Sequence, residues 1–228
     1  MDPIAPQKSL MELTAERIRD AIILGELPLS SKLSEQKLAD KLEISRSPVR
    51  EALALLQIEG LVRVRPKRGS FVFTPDETTV SDLCDHRAIL EAACLRFAIQ
   101  RNPKELVHGL RQGFDQMQNA ITHNDSAEYS AGDIRFHRAI IENSDNGSIA
   151  KVYETTIGPL MALRTHLFTT MNAHLDSSMA EHAELLEACE KRDVSRAQTI
   201  ATEHVQHLGE HYRAASAQVE PQKLRRVR

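Results

Sequence analysis

Residues 33–73 read LSEQKLADKLEISRSPVREALALLQIEGLVRVRPKRGSFVF, and this stretch decides how the N-terminal part of the chain folds. Ser34 suits a helix N-cap, and Leu38, Ala39 and Leu42 follow at helical spacing. Glu43 and Ile44 turn the chain. Ser45 caps a second helix, with Pro48 in the first turn where a missing N–H costs little. Val49, Ala52, Leu53 and Leu56, with Leu55 beside them, make its apolar face, and Gly60 ends it. Val62-Arg63-Val64-Arg65 and Ser70-Phe71-Val72-Phe73 then alternate around Pro66-Lys67-Arg68-Gly69, the pattern of a β-hairpin with a basic tip. Upstream, residues 9–24 predict a further helix with Leu10, Leu13, Ile18, Ile22 and Ile23 near one face. A loop over 25–32 follows, and 1–8 reads as a loose tail. Residues 1–75 thus predict a winged helix-turn-helix.

Such a module places its second helix in the major groove with the N-terminal residues toward the bases. Here that end presents Ser45, Arg46, Ser47 and Arg50, with the two arginines one turn apart on one face. A guanidinium fork bonds bidentately to guanine, worth roughly 1–3 kcal/mol of discrimination per good pair. Ser45 and Ser47, with the helix amides, suit phosphate contact. Lys67, Arg68 and Gly69 at the hairpin tip suit the adjacent minor groove, with Gly69 allowing close backbone approach. Two arginines alone describe an ordinary solvated helix face; the order of helix, turn, helix and hairpin favours DNA reading.

These residues carry a resemblance. SRSPVREAL, then EGLV, then PKRGSFV resemble the signature of GntR-type bacterial transcription regulators. The resemblance implies a dimer on a pseudo-palindromic operator, base-reading roles for Arg46 and Arg50, and wing contact at Gly69.

The chain of 228 residues has room for two small domains. Hydrophobic residues make up 41% but aromatics only 4%, and Trp is absent, so cores must be built from Leu, Ile, Ala and Met. Few Gly and Pro argue for a largely helical protein. The net charge of −3 hides an uneven distribution. Residues 46–68 hold six Lys/Arg against two Asp/Glu, whereas 76–222 hold 13 against 22. A basic end on an acidic body would orient the molecule on a duplex. Residues 217–228 form a basic tail that reads as solvated and disordered. Cys84, Cys94 and Cys189 show no CxxC pairing, so no disulfide framework and a cytoplasmic setting are expected. Neither a signal peptide nor an apolar run of about 18 residues is seen, so no membrane partner is expected.

Residues 74–79 are polar and contain Pro75, which places the domain boundary there, with 76–79 as linker. From 80 to 216 the periodicity predicts an all-helical antiparallel bundle, with helices over 80–101, 103–122, 126–143, 147–172, 177–191 and 194–216. Pro159 should kink the fourth. The predicted fold is therefore mainly α.

Polar residues interrupt the apolar stripes of this bundle. One runs Tyr129, Asp133, Phe136, His137, Ile140; another Met179, His182, Leu186, Cys189; a third Ala197, Ile200, Ala201, His204, Leu208. Asp133 and His137 are i,i+4 and share a face. A buried lone carboxylate is costly and must be paired. Either these are hydrogen-bonded core residues, or Asp133, His137, His182 and His204 hold a divalent cation. That ligand set suits Zn²⁺, and also Ni²⁺ or Mn²⁺. His207 and His211 lie near the last stripe as substitutes or as surface residues. On the stripe Leu83, Arg87, Leu90, Cys94, Phe97, Arg87 points inward, either to pair with Glu91 or to bind a carboxylate ligand bidentately. Arg164 is a second candidate for that role.

DIRFH at 133–137, EHAELLEA at 181–188 and RDVSRAQTIATEH at 192–204 resemble the FCD-type C-terminal domain of the FadR subfamily. The resemblance implies an effector-binding and dimerising domain over 80–216. It further implies that Asp133, His137, His182 and His204 coordinate the ion and that Arg87 meets the effector. The expectation is a homodimeric regulator, a repressor, that responds to a small carboxylate and is not an enzyme. A metallohydrolase carrying a DNA-binding domain is the rival, although HExxH and an evident general base are lacking. A sensor of the metal itself is the third reading.

Overall fold

The computed structural model describes residues 8–171 and 175–225. The chain divides into two compact units, Met1–Thr74 and Pro75–Arg228. The first is a three-helix module with a small sheet: α1 (Leu10–Ile23), β1 (Lys32–Leu33), α2 (Glu35–Leu42), α3 (Arg46–Ile58), β2 (Val62–Arg65) and β3 (Gly69–Val72). The second is a helical bundle: α4 (Glu77–Arg101), α5 (Pro103–Thr122), α6 (Ser126–Glu142), α7 (Gly147–Thr156), α8 (Gly158–Met171), α9 (Leu175–Glu190) and α10 (Val194–Arg225). Among the described residues no helix is long and apolar enough to cross a membrane.

In the first unit, Ser34 accepts a hydrogen bond from the Lys37 N–H and starts α2, and Glu43 in the left-handed region (φ 56°) ends it. That tight turn sets α3 across α2. Helix α3 packs on α1 and β2, and Val49, Ala52, Leu53 and Leu56 are buried, as are Ala15, Ile18 and Ile22 of α1 and the sheet residues Val62 and Val72. Arg19 of α1 grips Glu59, the C-cap of α3, through two bonds of 2.8 and 2.7 Å, which fixes the C-terminal end of α3. The buried face of α1 differs from the expected one. Thr14 and Ala15 lie inside, whereas Leu10 and Leu13 are exposed, because positions 15, 18 and 22 share the helical phase that 10 and 13 miss.

The hairpin pairs Val62 with Val72 and Arg65 with Gly69. A third strand, which begins at Lys32 at the end of the expected loop, pairs Lys32 with Phe71 and Leu33 with Ser70, so the sheet order is β1-β3-β2. Two residues carry no readable periodicity, which is why this strand escaped notice. At the tip Lys67 (φ 60°) and Gly69 (φ 100°) are left-handed. A side chain at Gly69 would find room, so the dihedral is what favours glycine there.

In the second unit, α4 starts at Glu77, inside the stretch expected as a linker. Asp76 caps it by accepting from the Thr79 N–H at 2.8 Å. The predicted helix over 147–172 is two helices. Gly158 and Pro159 break it rather than kink it, since proline cannot donate to the preceding turn. Residue 172 lies outside the described residues, as do residues 1–7 of the expected N-terminal tail. Residues 217–225, expected as a disordered tail, continue α10, whose Ala-Ala-Ser-Ala run at 214–217 favours helix; 226–228 lie outside the described residues. On α4 the buried face runs Val80, Cys84, Arg87, Ala88, Glu91, Cys94, Leu95 and Ala98, whereas Leu83, Leu90 and Phe97 are only half-buried. All three cysteines are buried and free.

Glycine sets the position of α6, the helix with the most polar intrusion. A Cβ at Gly113 of α5 would lie 2.6 Å from the Phe136 backbone nitrogen, and one at Gly132 would lie 2.9 Å from the Met117 nitrogen. Backbone therefore meets backbone on that side of α6. Asp133 and His137 are then held in the bundle interior by a rigid helix rather than by a loop.

Candidate metal centre and nucleic-acid interface

Asp133 and His137 on α6, His182 on α9 and His204 on α10 are all at least 95% buried. Each offers one ligand atom to a group whose members lie within 4.8 Å of one another. His137 Nε2 is 3.1 Å from His182 Nε2. Asp133 Oδ1 lies 3.4 Å from His182 Nε2 and 3.8 Å from His137 Nε2. Neither His207 nor His211 belongs to this group.

The outer nitrogens explain the orientation of two rings. His137 Nδ1 donates to Glu91 Oε2 at 2.9 Å, and His204 Nδ1 donates to Glu181 Oε2 at 2.6 Å. Each imidazole with its Nδ1 proton so engaged turns Nε2, as a lone pair, inward. His182 Nδ1 has no hydrogen-bond partner among the described residues. The rings are held neutral. Burial lowers His137 well below its usual range, with the Arg87 charge adding to the effect. Burial lowers His204 to about 3, helped by His182 and opposed by its bond to Glu181. Burial lowers His182 too, against the pull of Asp133. Burial pushes the Asp133 carboxyl upward, but Arg164 and the His182 bond outweigh it and hold the group well below the usual carboxylate range.

The Asp133 carboxylate and the Nε2 lone pairs of His137 and His204 thus face one point, with His182 Nε2 beside them as the donor to Asp133. Ligands about 2.0–2.2 Å from a single ion stand roughly 3–4 Å apart; the Asp133, His137 and His182 atoms have that spacing, and the whole group with His204 lies within 4.8 Å. The donor set fits a divalent cation, and the histidine–carboxylate pairs are the outer contacts such a site uses to fix its ligands.

Two arginines border the same centre. Arg87 of α4 pairs through Nε with Glu91 Oε1, and Arg164 of α8 pairs with Asp133 Oδ1. Both are buried. They line a small pocket of about 10 Å³, room for about one water, together with Asp133, His137, Tyr153 and Leu160.

In the first unit, Arg46 and Arg50 are exposed and converge on Glu35 of α2, each with an Nη2 3.1 Å from Glu35 Oε2. Ser47 Oγ donates to Glu51 at 3.0 Å. Ser45 makes no side-chain cap bond, so the first amides of α3 are not closed off by it. Lys67, Arg68 and Gly69 are exposed at the hairpin tip, and Arg65 lies over the Phe71 ring at 4.8 Å, which stiffens the wing.

Two family models match. The FCD domain covers residues 82–207 and the gntR family of bacterial regulatory proteins covers residues 10–72. The chain belongs to the gntR family, with an FCD domain. This gntR regulator is 31% identical over 189 residues to an HTH-type transcriptional regulator in an unstable DNA locus of Streptomyces ambofaciens, covering 83% of this chain and 79% of the other. It is 28% identical over 170 residues to the gluconate operon transcriptional repressor of Bacillus licheniformis, covering 75% and 68%. In fold it resembles the crystal structure of a putative GntR transcriptional regulator from Rhodococcus sp. RHA1, with a TM-score of 0.80 at 21% identity over 91% of this chain and 99% of that one. The relatives are transcription regulators, not enzymes, which removes the metallohydrolase reading.

Sequence reasoning about the gntR regulator missed Glu181 and Tyr153. Glu181 accepts from both His204 and His207 at 2.6 Å. Its neighbour His182 occupies the inward stripe, so position alone placed Glu181 off the core. Tyr153 donates to Glu91 Oε1 at 3.3 Å from α7, a helix without a polar intrusion that flagged it.

Proposed function

We propose that this gntR regulator binds a pseudo-palindromic operator as a homodimer in the cytoplasm and represses transcription, and that a small organic acid bound beside a divalent ion changes its operator affinity. Residues 1–75 read DNA, through Arg46 and Arg50 to bases, Ser45 and Ser47 to phosphates, and Lys67, Arg68 and Gly69 in the minor groove. Residues 80–216 hold the ion and the acid and dimerise. The observation that supports the effector reading is the meeting of the buried Arg87 and Arg164 with Asp133 and His137 around one small pocket. That a relative represses a gluconate operon supports an organic acid as the class.

Asp133, His137, His182 and His204 would hold Zn²⁺, Ni²⁺ or Mn²⁺, of which zinc suits the donors best. When bound, the ion would supply a positive charge that favours an anionic ligand beside it. Arg87 and Arg164 supply planar forks for the oxygens of the acid. The arginines already hold Glu91 and Asp133, so an acid must share or displace those contacts, which moves α4 and α8 relative to α6. The ligand acts only through its different affinity for the two arrangements.

The test is to incubate the full chain with fragmented genomic DNA of its host, sequence what it retains, and measure its metal by mass spectrometry. Discrete sites containing an inverted repeat, with about one zinc per chain, are expected. Flat retention overturns operator recognition, and a metal-free chain that zinc salts cannot load overturns the metal centre.

A further inference from the structure

We propose that Glu91 is a positioning residue: its carboxylate fixes the tautomer of His137 and ties the acid-binding arginine to the metal ligands. The inference rests on the metal reading above. Glu91 is wholly buried, and three groups from three helices share it. Arg87 Nε on its own helix and the Tyr153 hydroxyl on α7 both address Oε1, while His137 Nδ1 on α6 addresses Oε2 at 2.9 Å.

The chemistry of the three partners leaves one arrangement. Arg87 can only donate, and the tyrosine hydroxyl donates to a carboxylate. The carboxylate can only accept, so His137 Nδ1 must carry the proton. His137 Nε2 is then a lone pair, and it faces His182 Nε2 at 3.1 Å and Asp133 Oδ1 at 3.8 Å. Without Glu91 nothing prevents the proton from sitting on Nε2, where it blocks ligation. Arg87 meanwhile draws on the same carboxylate and keeps Nη2 without a partner among the described residues. An anion taken up by Arg87 relaxes its hold on Glu91. The full carboxylate charge then acts on the His137 N–H and raises the basicity of Nε2. Acid and metal therefore strengthen each other's binding, by the same factor in both directions.

Glu91→Gln tests this with almost no change of shape. Arg87 and Tyr153 demand the amide oxygen, so the amide NH₂ must face His137 Nδ1. That nitrogen is forced to accept, and the proton moves to Nε2. In the zinc-free full chain with ¹⁵N-labelled histidine, long-range ¹H–¹⁵N spectra should show His137 (assigned by its loss in His137→Asn) as the Nδ1–H tautomer. Glu91→Gln should show Nε2–H. Its zinc affinity, by competition with a chromophoric chelator, should fall roughly 10- to 100-fold. Tyr153→Phe removes a bond to the same carboxylate but leaves His137 Nδ1 untouched. It should keep the wild-type tautomer and zinc affinity within about 3-fold, whereas a merely structural role for Glu91 would make the two variants alike. Should Glu91→Gln fail to fold, the wild-type tautomer alone decides. An Nε2–H tautomer in wild type, or equal zinc affinity in wild type and Glu91→Gln, overturns the role of Glu91 and leaves the metal centre standing. A wild-type chain that takes up no zinc overturns both.

Discussion

Each half of the molecule sets a glutamate against arginine, in opposite surroundings. In the first unit Glu35 meets Arg46 and Arg50, whose side chains are 54% and 67% exposed. In the second Glu91 meets Arg87, at 0% and 2%. An exposed pair gains little over water and exchanges readily for other anions. Arg46 and Arg50 can therefore leave Glu35 for phosphate or guanine at small cost. A buried pair has lost its water, and removing one partner strands the other in a medium that tolerates charge poorly. The same residue types serve as a reversible contact in one unit and as a fixed part of the core in the other.

The largest effect should come from breaking a buried pair. Asp133→Ala in the zinc-free chain takes from Arg164 its carboxylate partner and should cost about 3–5 kcal/mol, read as a lowered melting transition of the second unit by calorimetry. A loss under about 1 kcal/mol would mean that the buried and exposed pairs do not differ as argued.

Alkaline titration separates the units next. All cysteines and tyrosines of the chain lie in the second unit. Burial pushes the Cys189 thiol from 9.0 to about 12 and the Tyr129 hydroxyl from 10.0 to about 12, the latter with help from the Asp133 charge. Folded-state values raised in this way mean that the unfolded chain gives up these protons first. The stabilisation is intact below about pH 9 and is lost as pH rises toward about 12, by up to about 1.4 kcal/mol per pH unit for each group fully ionised in the unfolded chain. Denaturant melts of the second unit between pH 8.5 and 11 should show that slope; a flat profile would contradict the burial of these groups.

On the exposed side, with the base-reading role proposed for Arg50, Arg50→Ala should weaken operator binding by about 1–3 kcal/mol, selectively at one guanine. Fluorescence anisotropy on the operator and on a single-base variant measures it, and an equal loss on both would reassign Arg50 to the phosphates. The smallest effect belongs to Glu35→Gln, which should shift the stability of the first unit by less than about 0.5 kcal/mol. A larger destabilisation would show that Glu35 holds the two helices together rather than merely meeting the free arginines.

Legibility in the sequence followed the length of the signal. The helix-turn-helix was readable because caps, turn and hairpin each have local chemistry: Ser34, Glu43 with Ile44, Gly60, then two alternating runs. The two-residue strand Lys32–Leu33 was not, since it exists only by pairing with β3. On α6, α9 and α10 the polar intrusions stand on apolar stripes, so four residues from three helices are picked out together. On α4 the expected stripe shares only Arg87 and Cys94 with the buried face; Arg87 is legible from that stripe, and Glu91 only as its local i,i+4 partner.

By itself the sequence determined which residues carry the chemistry. Periodicity, caps and turn residues are local, and they assign helices, hairpin and inward faces without knowledge of the partners. Only the tertiary structure decided what each charge meets. Glu91 shared by Arg87, His137 and Tyr153, Glu181 shared by His204 and His207, and Arg164 on Asp133 all join helices whose separation in sequence carries no information about their distance in space. Hydrogen bonds reach about 3 Å, and which groups come within that reach is set by how the helices pack, down to the close approach at Gly113 and Gly132 that seats α6.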